Sequence, residues 1–405
     1  MLALNPGTLM ETLDMPARFN PLCSRALVLA ALLPALLARA PALAAQADES
    51  EHSTPWRLSY FPYIAGMAND GPGYFLRARY WQPAEYEARN TYTAALDGAV
   101  GATFEGSRLA VLRFRAPGLW KDWRLDALVG AERLVRYGYF GLGNSTERDD
   151  DLVTEETPFL YRVRRIRYEG RIEVTRRIRG PLHAAVRAAA VDMHYTTLPG
   201  PSLFINDFGE GLEEDEVSGR LALLYDTRNN EYNTTRGLFA EAGIQVGDAQ
   251  DSYNRVYGVI AGYYPVREGT VIAGRIGGSG TDGTPTLYAR ASVPTWDREV
   301  PVLGGENSHR AFDTGRFQGD GTLFANFEVR HDLFPFGDLG AVTVLAFLDA
   351  GRVFEEESFR LTTEDLHVGG GGGVAIRILR TAIFVFNFAG GPDGYNFSFG
   401  NGWMF

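Results

Sequence analysis

The sequence predicts an all-β protein whose strands form a transmembrane antiparallel β-barrel. Three features indicate this class: segments of alternating apolar and polar residues recur from end to end, clusters of Gly, Asn, Asp and Pro separate them, and the carboxyl-terminal segment is rich in aromatic residues. Beyond the N-terminal region, no apolar run approaches the roughly 18 residues of a membrane helix. A closed barrel is the remaining membrane fold, because closure satisfies every backbone polar group in hydrocarbon.

Residues 1–45 have the features of a secretory signal. Arg18 and Arg25 precede an apolar run at 26–38, and the small residues Ala42 and Ala44 form an Ala-x-Ala cleavage site. The run is shorter than the roughly 20 residues that a permanent membrane anchor needs. We therefore expect the signal to be cleaved.

Cleavage would also remove the only cysteine, Cys23. The mature chain then has no thiol, which excludes disulfides, cysteine nucleophiles and thiolate metal sites. Met15 is an alternative start within this region. Residues 46–56 are expected to form a short polar periplasmic segment, and residues 57–405 to form the barrel.

The charge and composition of the chain restrict its partners. The net charge of −11 excludes a broad nucleic-acid-binding surface, so no nucleic acid is expected as a partner. The 47 glycines and 12% aromatic residues fit strands that are apolar on alternate residues. A soluble β-sandwich has a similar composition, so composition alone leaves the location open.

The alternation of apolar and polar residues is clearest at 236–246 and 322–330. In the first segment Leu238 and Val246 share an apolar face that is expected to meet lipid, whereas Glu241 lies on the opposite face, toward a wet lumen. Boundaries from pattern alone are uncertain, so the strand count lies between about fifteen and eighteen. The other candidate strands are 57–66, 72–81, 89–105, 108–116, 121–138, 157–169, 171–178, 183–196, 217–226, 254–264, 268–277, 284–291, 340–351, 367–379, 381–389 and 395–405.

The carboxyl-terminal strand has the most aromatic face in the chain. Counting back in twos from Phe405, the residues that share this face are Trp403, Asn401, Phe399, Phe397 and Tyr395. Such a face is expected to meet lipid, with a buried strand of a soluble protein as the alternative. Three turn-rich stretches are predicted to be loops on the outer side of the membrane: 139–156, 197–216 and 292–320.

The most distinctive internal motif is Gly-Gly-Glu-Asn-Ser-His-Arg-Ala-Phe at residues 304–312. It resembles the Val/Ile-Arg-Gly-Phe/Tyr motif of the BamA/TamA outer-membrane assembly superfamily, in which an extracellular loop folds back into the barrel. The resemblance implies a barrel of about 16 strands and identifies Arg310 and Phe312 as motif residues of the inward-folded loop. It also implies that Arg310 pairs with acidic residues of the next two lumen-facing strands, here Glu328 and Asp349.

A physical reason for this pairing stands apart from the resemblance. An arginine inside a barrel lumen needs a carboxylate partner, and two acids give its planar guanidinium group bidentate contacts. The alternative is a solvated Arg310, with Glu328 and Asp349 as ordinary polar residues of the lumen.

The carboxyl terminus is also similar to the outer-membrane targeting strand of this family. Ser398, Gly400, Trp403 and Phe405 occupy the positions of its polar, glycine and aromatic residues. A hairpin at residues 225–237 is similar to another segment of the family.

The chain departs from the family motif at two positions. His309 replaces the usual aliphatic residue, and Ala311 replaces a glycine, so a positive φ at residue 311 is not expected. We also expect a short form without the periplasmic polypeptide-transport-associated domains, because only residues 46–56 lie between the signal and the first strand.

Signatures of an enzyme are poor, so no catalytic residue, metal or cofactor is expected. The six histidines are scattered, and neither His-Glu-x-x-His nor Gly-x-Ser-x-Gly occurs. A barrel hydrolase that uses His309 or His331 is the weaker alternative.

By resemblance, the chain is expected to assist insertion or translocation of proteins, or of lipids, at the bacterial outer membrane. The expected partners are outer-membrane lipid, lipopolysaccharide, substrate outer-membrane proteins and another assembly component. The seam between strands 57–66 and 395–405 would part to pair with an incoming strand. A passive pore and a surface scaffold are the alternatives.

Overall fold

The computed structural model describes residues 54–67, 69–85, 88–296, 299–301, 303–355, 359–378 and 382–405. The predicted signal at 1–45 and the greater part of the segment at 46–56 lie outside these residues. No helix within the described ranges is long and apolar enough to cross a membrane.

Sixteen strands form one antiparallel sheet in which each strand pairs with its neighbours in the chain. The first eight are β1 (Arg57–Gly66), β2 (Pro72–Pro83), β3 (Tyr92–Thr103), β4 (Arg108–Trp120), β5 (Trp123–Gly138), β6 (Arg162–Arg179), β7 (Leu182–Thr196) and β8 (Gly211–Asp226). The others are β9 (Gly237–Asp248), β10 (Ser252–Arg267), β11 (Thr270–Gly283), β14 (Gly321–Pro335), β15 (Gly340–Phe354), β16 (His367–Ile378), β17 (Ala382–Gly391) and β18 (Gly394–Asn401). A separate hairpin pairs β12 (Ser292–Pro294) with β13 (Glu299–Pro301), and the short helices are α1 (Leu203–Phe208) and α2 (Leu287–Arg290).

Two sequence predictions about strands are wrong. The segments 157–169 and 171–178 are not separate strands, because Gly170 pairs with both Val129 and Ala190 and β6 continues through it. The segment 284–291 contains helix α2, which begins where the Thr286 side chain accepts a hydrogen bond from the Ala289 amide. Eighteen candidate segments thus become the sixteen strands of the sheet.

The predicted alternation of side chains is confirmed in the middle of the sheet. In β9 the apolar side chains of Ile244 and Val246 are exposed on the outer face, whereas Glu241 and Gln245 are buried on the inner face. In β14, Phe327 points outward and Glu328 is buried within. An apolar outer face and a polar inner face are what a strand between lipid and a barrel lumen requires.

The connections between strands differ in length at the two ends of the sheet. Long loops at 139–161, 197–210 and 284–320 lie at one end, and short turns such as 121–122 and 180–181 lie at the other. In outer-membrane barrels the long loops are external and the short turns periplasmic. We call residues 284–320 the lumen loop.

The lumen loop lies inside the curve of the sheet. It contacts inward-facing arginines of β7, β8 and β10 on one side, and inward-facing acids of β14 and β15 on the other. The sheet therefore curls around the loop, which confirms the predicted transmembrane barrel of 16 strands with an inward-folded loop.

Candidate functional site in the barrel lumen

The tip of the lumen loop, residues 303–318, begins with a turn that requires glycine. Gly304 and Gly305 have φ of 120° and 92°, and a Cβ at Gly304 would lie 2.1 Å from the Asp313 carbonyl oxygen. The Ser308 hydroxyl donates to the Gly304 carbonyl and accepts from the Gly304 amide, at 2.9 and 3.0 Å. These bonds fold the loop tip so that the residues after Ser308 face the barrel wall.

The Arg310 side chain is buried between two acidic residues of the wall. Its Nε and Nη2 donate to the two carboxylate oxygens of Asp349 at 2.8 and 2.7 Å, and its backbone amide donates to the same carboxylate at 3.0 Å. Its Nη1 donates to Glu328. The structure thus brings together Arg310, Glu328 and Asp349, the three charged residues that the sequence singled out.

The surroundings of this ion cluster complete its hydrogen bonding. The Arg310 guanidinium carbon lies 3.5 Å from the centroid of the Phe347 ring, and Glu328 also accepts from Arg330 Nε at 2.7 Å. Burial disfavours the charge of Arg310, but the hydrogen bonds that it donates to Asp349 and the charge of Glu328 raise its pKa above the ordinary value. Removal of any one partner would leave a buried charge without compensation.

Aromatic rings fix the loop tip beside this cluster. Phe312 is buried, and its ring packs edge-on against His309, Phe317 and His367. Burial lowers the pKa of His309, whose Nε2 lies 3.0 Å from the His367 carbonyl oxygen. A neutral donor is therefore expected at this nitrogen.

Ala311 has no positive φ, and its methyl group packs against glycines of the wall. A Cβ built at Gly369 of β16 would lie only 2.4 Å from the Ala311 Cβ, and one at Gly391 would lie 2.9 Å from it. The glycine-rich β16 therefore provides the space into which the loop tip fits.

We expect Gly369→Ala to displace the loop tip and to destabilise the barrel by about 1–3 kcal/mol, as overpacking does. The measurement is the urea midpoint of unfolding in detergent. Gly219→Ala in β8 is the matched control, because a Cβ there meets nothing within 4 Å. The double variant Gly369→Ala/Ala311→Gly should recover part of the loss. A Gly369→Ala midpoint equal to that of the control would contradict the close fit.

The loop tip also holds the last strand of the sheet. Asn396 of β18 donates to the carbonyl oxygens of Arg310 and Phe312 at 3.0 and 3.1 Å. Arg316 pairs with Asp393, in the turn before β18, at 2.6 Å and donates to the Thr146 carbonyl at 2.8 Å. The tip therefore joins β18 to the loop after β5.

The carboxyl terminus differs from the predicted alternation. Ser398 and Gly400 lie on the inner face of β18, but the strand ends at Asn401, so Trp403 and Phe405 do not continue its outer face. Gly402 has φ of 98° and turns the chain inward. A residue with a side chain rarely adopts this backbone conformation.

The turned carboxyl-terminal residues contact the lumen wall near its periplasmic end. The Trp403 side chain is buried, and its indole donates to Asn233 at 2.8 Å in the turn after β8. Arg330 lies 4.3 Å from the Trp403 ring and donates to the Phe405 carbonyl at 3.1 Å. Because Arg330 also bonds to Glu328, the carboxyl terminus is connected to the Arg310 cluster.

A second contact of the lumen loop was not predicted from the sequence. Arg187, Arg220 and Arg255 donate to backbone carbonyls of Thr295, Pro294 and Ser292 around β12. Inward-facing acids complete the contact: Glu173 pairs with Arg187 and Arg220, and Glu241 accepts from the Trp296 amide at 2.8 Å. The available signal was the placement of arginines and acids at inward positions of neighbouring strands.

The histidines considered for catalysis lie apart from one another. His309 bonds to a backbone carbonyl, as above, and His331 Nδ1 lies 2.9 Å from the Thr270 hydroxyl on the wall. Within the part of the chain that the structure describes, no group of three or more His, Cys, Asp and Glu side chains is placed to hold a metal ion.

Known proteins resemble this chain in sequence pattern and in fold. The Omp85 superfamily domain matches residues 107–405. BamA from Haemophilus ducreyi, solved without POTRA domains 1–3, superposes with a TM-score of 0.52 at 14% identity, over 86% of this chain and 70% of that one. CdiB from Escherichia coli superposes with a TM-score of 0.56 at 11% identity, over 86% of this chain and 62% of that one. CdiB from Acinetobacter baumannii superposes with a TM-score of 0.50 at 12% identity, over 86% of this chain and 65% of that one.

At these identities the likeness shows a shared fold. The chain spans less than two thirds of the two CdiB chains. No curated protein matches it.

Proposed function

Because the chain belongs to the Omp85 superfamily, we propose that it is a bacterial outer-membrane barrel that assists the insertion or translocation of proteins. Cleavage of the signal at 1–45 and export to the outer membrane are part of this proposal. Substrate outer-membrane proteins, and outer-membrane lipid with its lipopolysaccharide, are the partners that it requires.

The observation that carries the proposal is that each of the two terminal strands has one unpaired edge. Among the described residues, β1 pairs only with β2, and β18 pairs only with β17. Each strand therefore presents a row of backbone donors and acceptors at the seam, which can pair with the edge of an incoming strand.

The lumen loop supplies a means of controlling this seam. Asn396 at one end of β18 bonds to the loop tip, and Trp403 and Phe405 beyond its other end contact Arg330. Both contacts lead to the Arg310 cluster through short chains of hydrogen bonds. We propose that this cluster holds β18 in place and that its release allows the seam to part.

The test is a folding assay in liposomes that contain the purified protein. An unfolded small outer-membrane barrel is added, and its folding is followed by heat-modifiable mobility. We expect faster folding than in empty liposomes. Asn396→Ala should raise the folding rate of the added barrel several-fold, because it removes two hydrogen bonds of about 1 kcal/mol each that hold β18. Asn254→Ala, an exposed residue of β10, is the control.

Equal rates with and without the protein would exclude insertion under these conditions. Depletion in cells supplies a second readout, because the outer-membrane level of other barrels should fall. A large, steady conductance in planar bilayers would instead favour a passive pore. The lumen loop disfavours that alternative, because it contacts the wall from β7 to β10 and from β14 to β18.

A further inference from the structure

A cavity of about 360 Å³ lies in the periplasmic half of the lumen, away from the Arg310 cluster. It is bounded by the inner faces of β2 to β6, by Trp296 of the lumen loop, and by Asn401 and Gly402 at the end of the last strand. It therefore lies beside the seam. The arginines that line it are Arg77, Arg79, Arg89, Arg113, Arg115 and Arg124.

Positive charge is in excess on the side of the cavity formed by β2 and β4. Asp97 alone is shared by Arg77, Arg79 and Arg115, whose nitrogens lie 3.0, 2.6 and 3.3 Å from its oxygens. Arg113 pairs with Asp126. Among the described residues, four guanidinium groups on this side thus face two carboxylates. On the opposite side Arg89 and Arg124 pair with Asp226 and Glu231, and Glu173, which also lines the cavity, pairs with Arg187 and Arg220.

The arginines of the excess side are held in position before any ligand arrives. The Tyr92 ring lies between Arg79 and Arg115, with guanidinium carbons 5.4 and 5.3 Å from its centroid.

We propose that this cavity binds a phosphate group. Guanidinium forks match the oxygens of phosphate, and four of them that share two carboxylates retain charge for a further anion. The volume equals that of about a dozen waters at ~30 Å³ each, which is enough for a phosphate with an attached glycerol. A phospholipid headgroup of the periplasmic leaflet, entering at the seam, and free inorganic phosphate share this chemistry. Binding here does not depend on the insertion activity proposed above.

The experiment measures binding to the full-length protein in a maltoside detergent, which contains no phosphate. Inorganic phosphate and dihexanoyl phosphatidylglycerol, below its micelle concentration, are titrated separately while Trp and Tyr fluorescence is recorded. Arg77→Gln/Arg115→Gln should weaken binding at least about tenfold, since each lost charge-assisted bond exceeds a neutral one. It leaves the closest pair, Arg79 with Asp97, intact. Raised salt should weaken binding to the wild type.

Arg136→Gln/Arg177→Gln is the matched control, because these arginines carry the same charge, are at least as exposed as Arg115 and lie outside the cavity. Heat-modifiable mobility verifies folding, and the single variant Arg77→Gln replaces the double variant if the latter does not fold. Binding of the phospholipid alone supports a headgroup site, and binding of both probes supports a general phosphate site. The proposal is overturned if neither probe binds, or if the cavity and control variants bind equally well.

Discussion

Arg310→Ala is expected to produce the largest loss of stability at the loop tip, about 3–5 kcal/mol. The substitution leaves the buried carboxylates of Glu328 and Asp349 facing each other without the guanidinium group between them. The free energy of unfolding is measured by urea titration in detergent. Hydrogen exchange of residues 303–318 should accelerate in the same variant, because three bonds from Arg310 to Asp349 fix this segment and the side chain supplies two of them.

The control for this variant is Arg136→Ala. Arg136 pairs with Glu105 at 2.9 Å, but both side chains are about 40% exposed, and an exposed pair contributes roughly 0–1 kcal/mol. A triple variant that also neutralises the two acids should restore part of the lost stability, because the unpaired charges are then removed. This variant is Arg310→Ala/Glu328→Gln/Asp349→Asn. If Arg310→Ala is as stable as the control, the cluster does not hold the loop.

Arg220→Ala is expected to release the other contact of the lumen loop and to open the lumen. Arg220 is buried, bonds to Glu173 and to the Pro294 carbonyl, and lies 3.3 Å from Glu241. Its loss should also destabilise the barrel by about 3–5 kcal/mol. Planar-bilayer recordings should show a conductance well above that of the wild type, since the hairpin of β12 and β13 loses the central one of the three arginines that hold it to the wall.

Arg177→Ala is the comparison for this second variant, because Arg177 pairs with Asp122 and both side chains are exposed. It should leave the conductance unchanged. An Arg220→Ala/Glu241→Gln variant tests whether the unpaired carboxylate accounts for the loss of stability. Unaltered conductance in Arg220→Ala would mean that the hairpin is held by other contacts.

The two faces of each wall strand could be predicted from the sequence, because they depend only on residues that are close together in the chain. In β9 and β14, residues two apart lie on the same face, so lipid and lumen impose alternating polarity along the chain itself. Gly170 marks the limit of this reasoning. A glycine is read as a turn, but pairing with both neighbouring strands keeps it in β6.

The loop tip was predictable in part because its residues resemble a known motif. The fit of Ala311 against Gly369 was not, since these residues are far apart in sequence and meet only when the loop enters the barrel. The arginines that hold the hairpin are likewise on three different strands. Each alone has the pattern of an ordinary polar residue of the lumen.

By itself, the sequence determined the fold class, the faces of the strands and the three charged residues at the loop tip. The tertiary structure alone decided that the lumen loop has two contacts with the wall, that Trp403 and Phe405 turn inward, and that arginines collect beside the seam. The physical reason is the distance along the sequence between the residues that interact. Alternation is set between adjacent residues, whereas partners inside the lumen are set by the curling of the sheet, which brings distant strands to face one another.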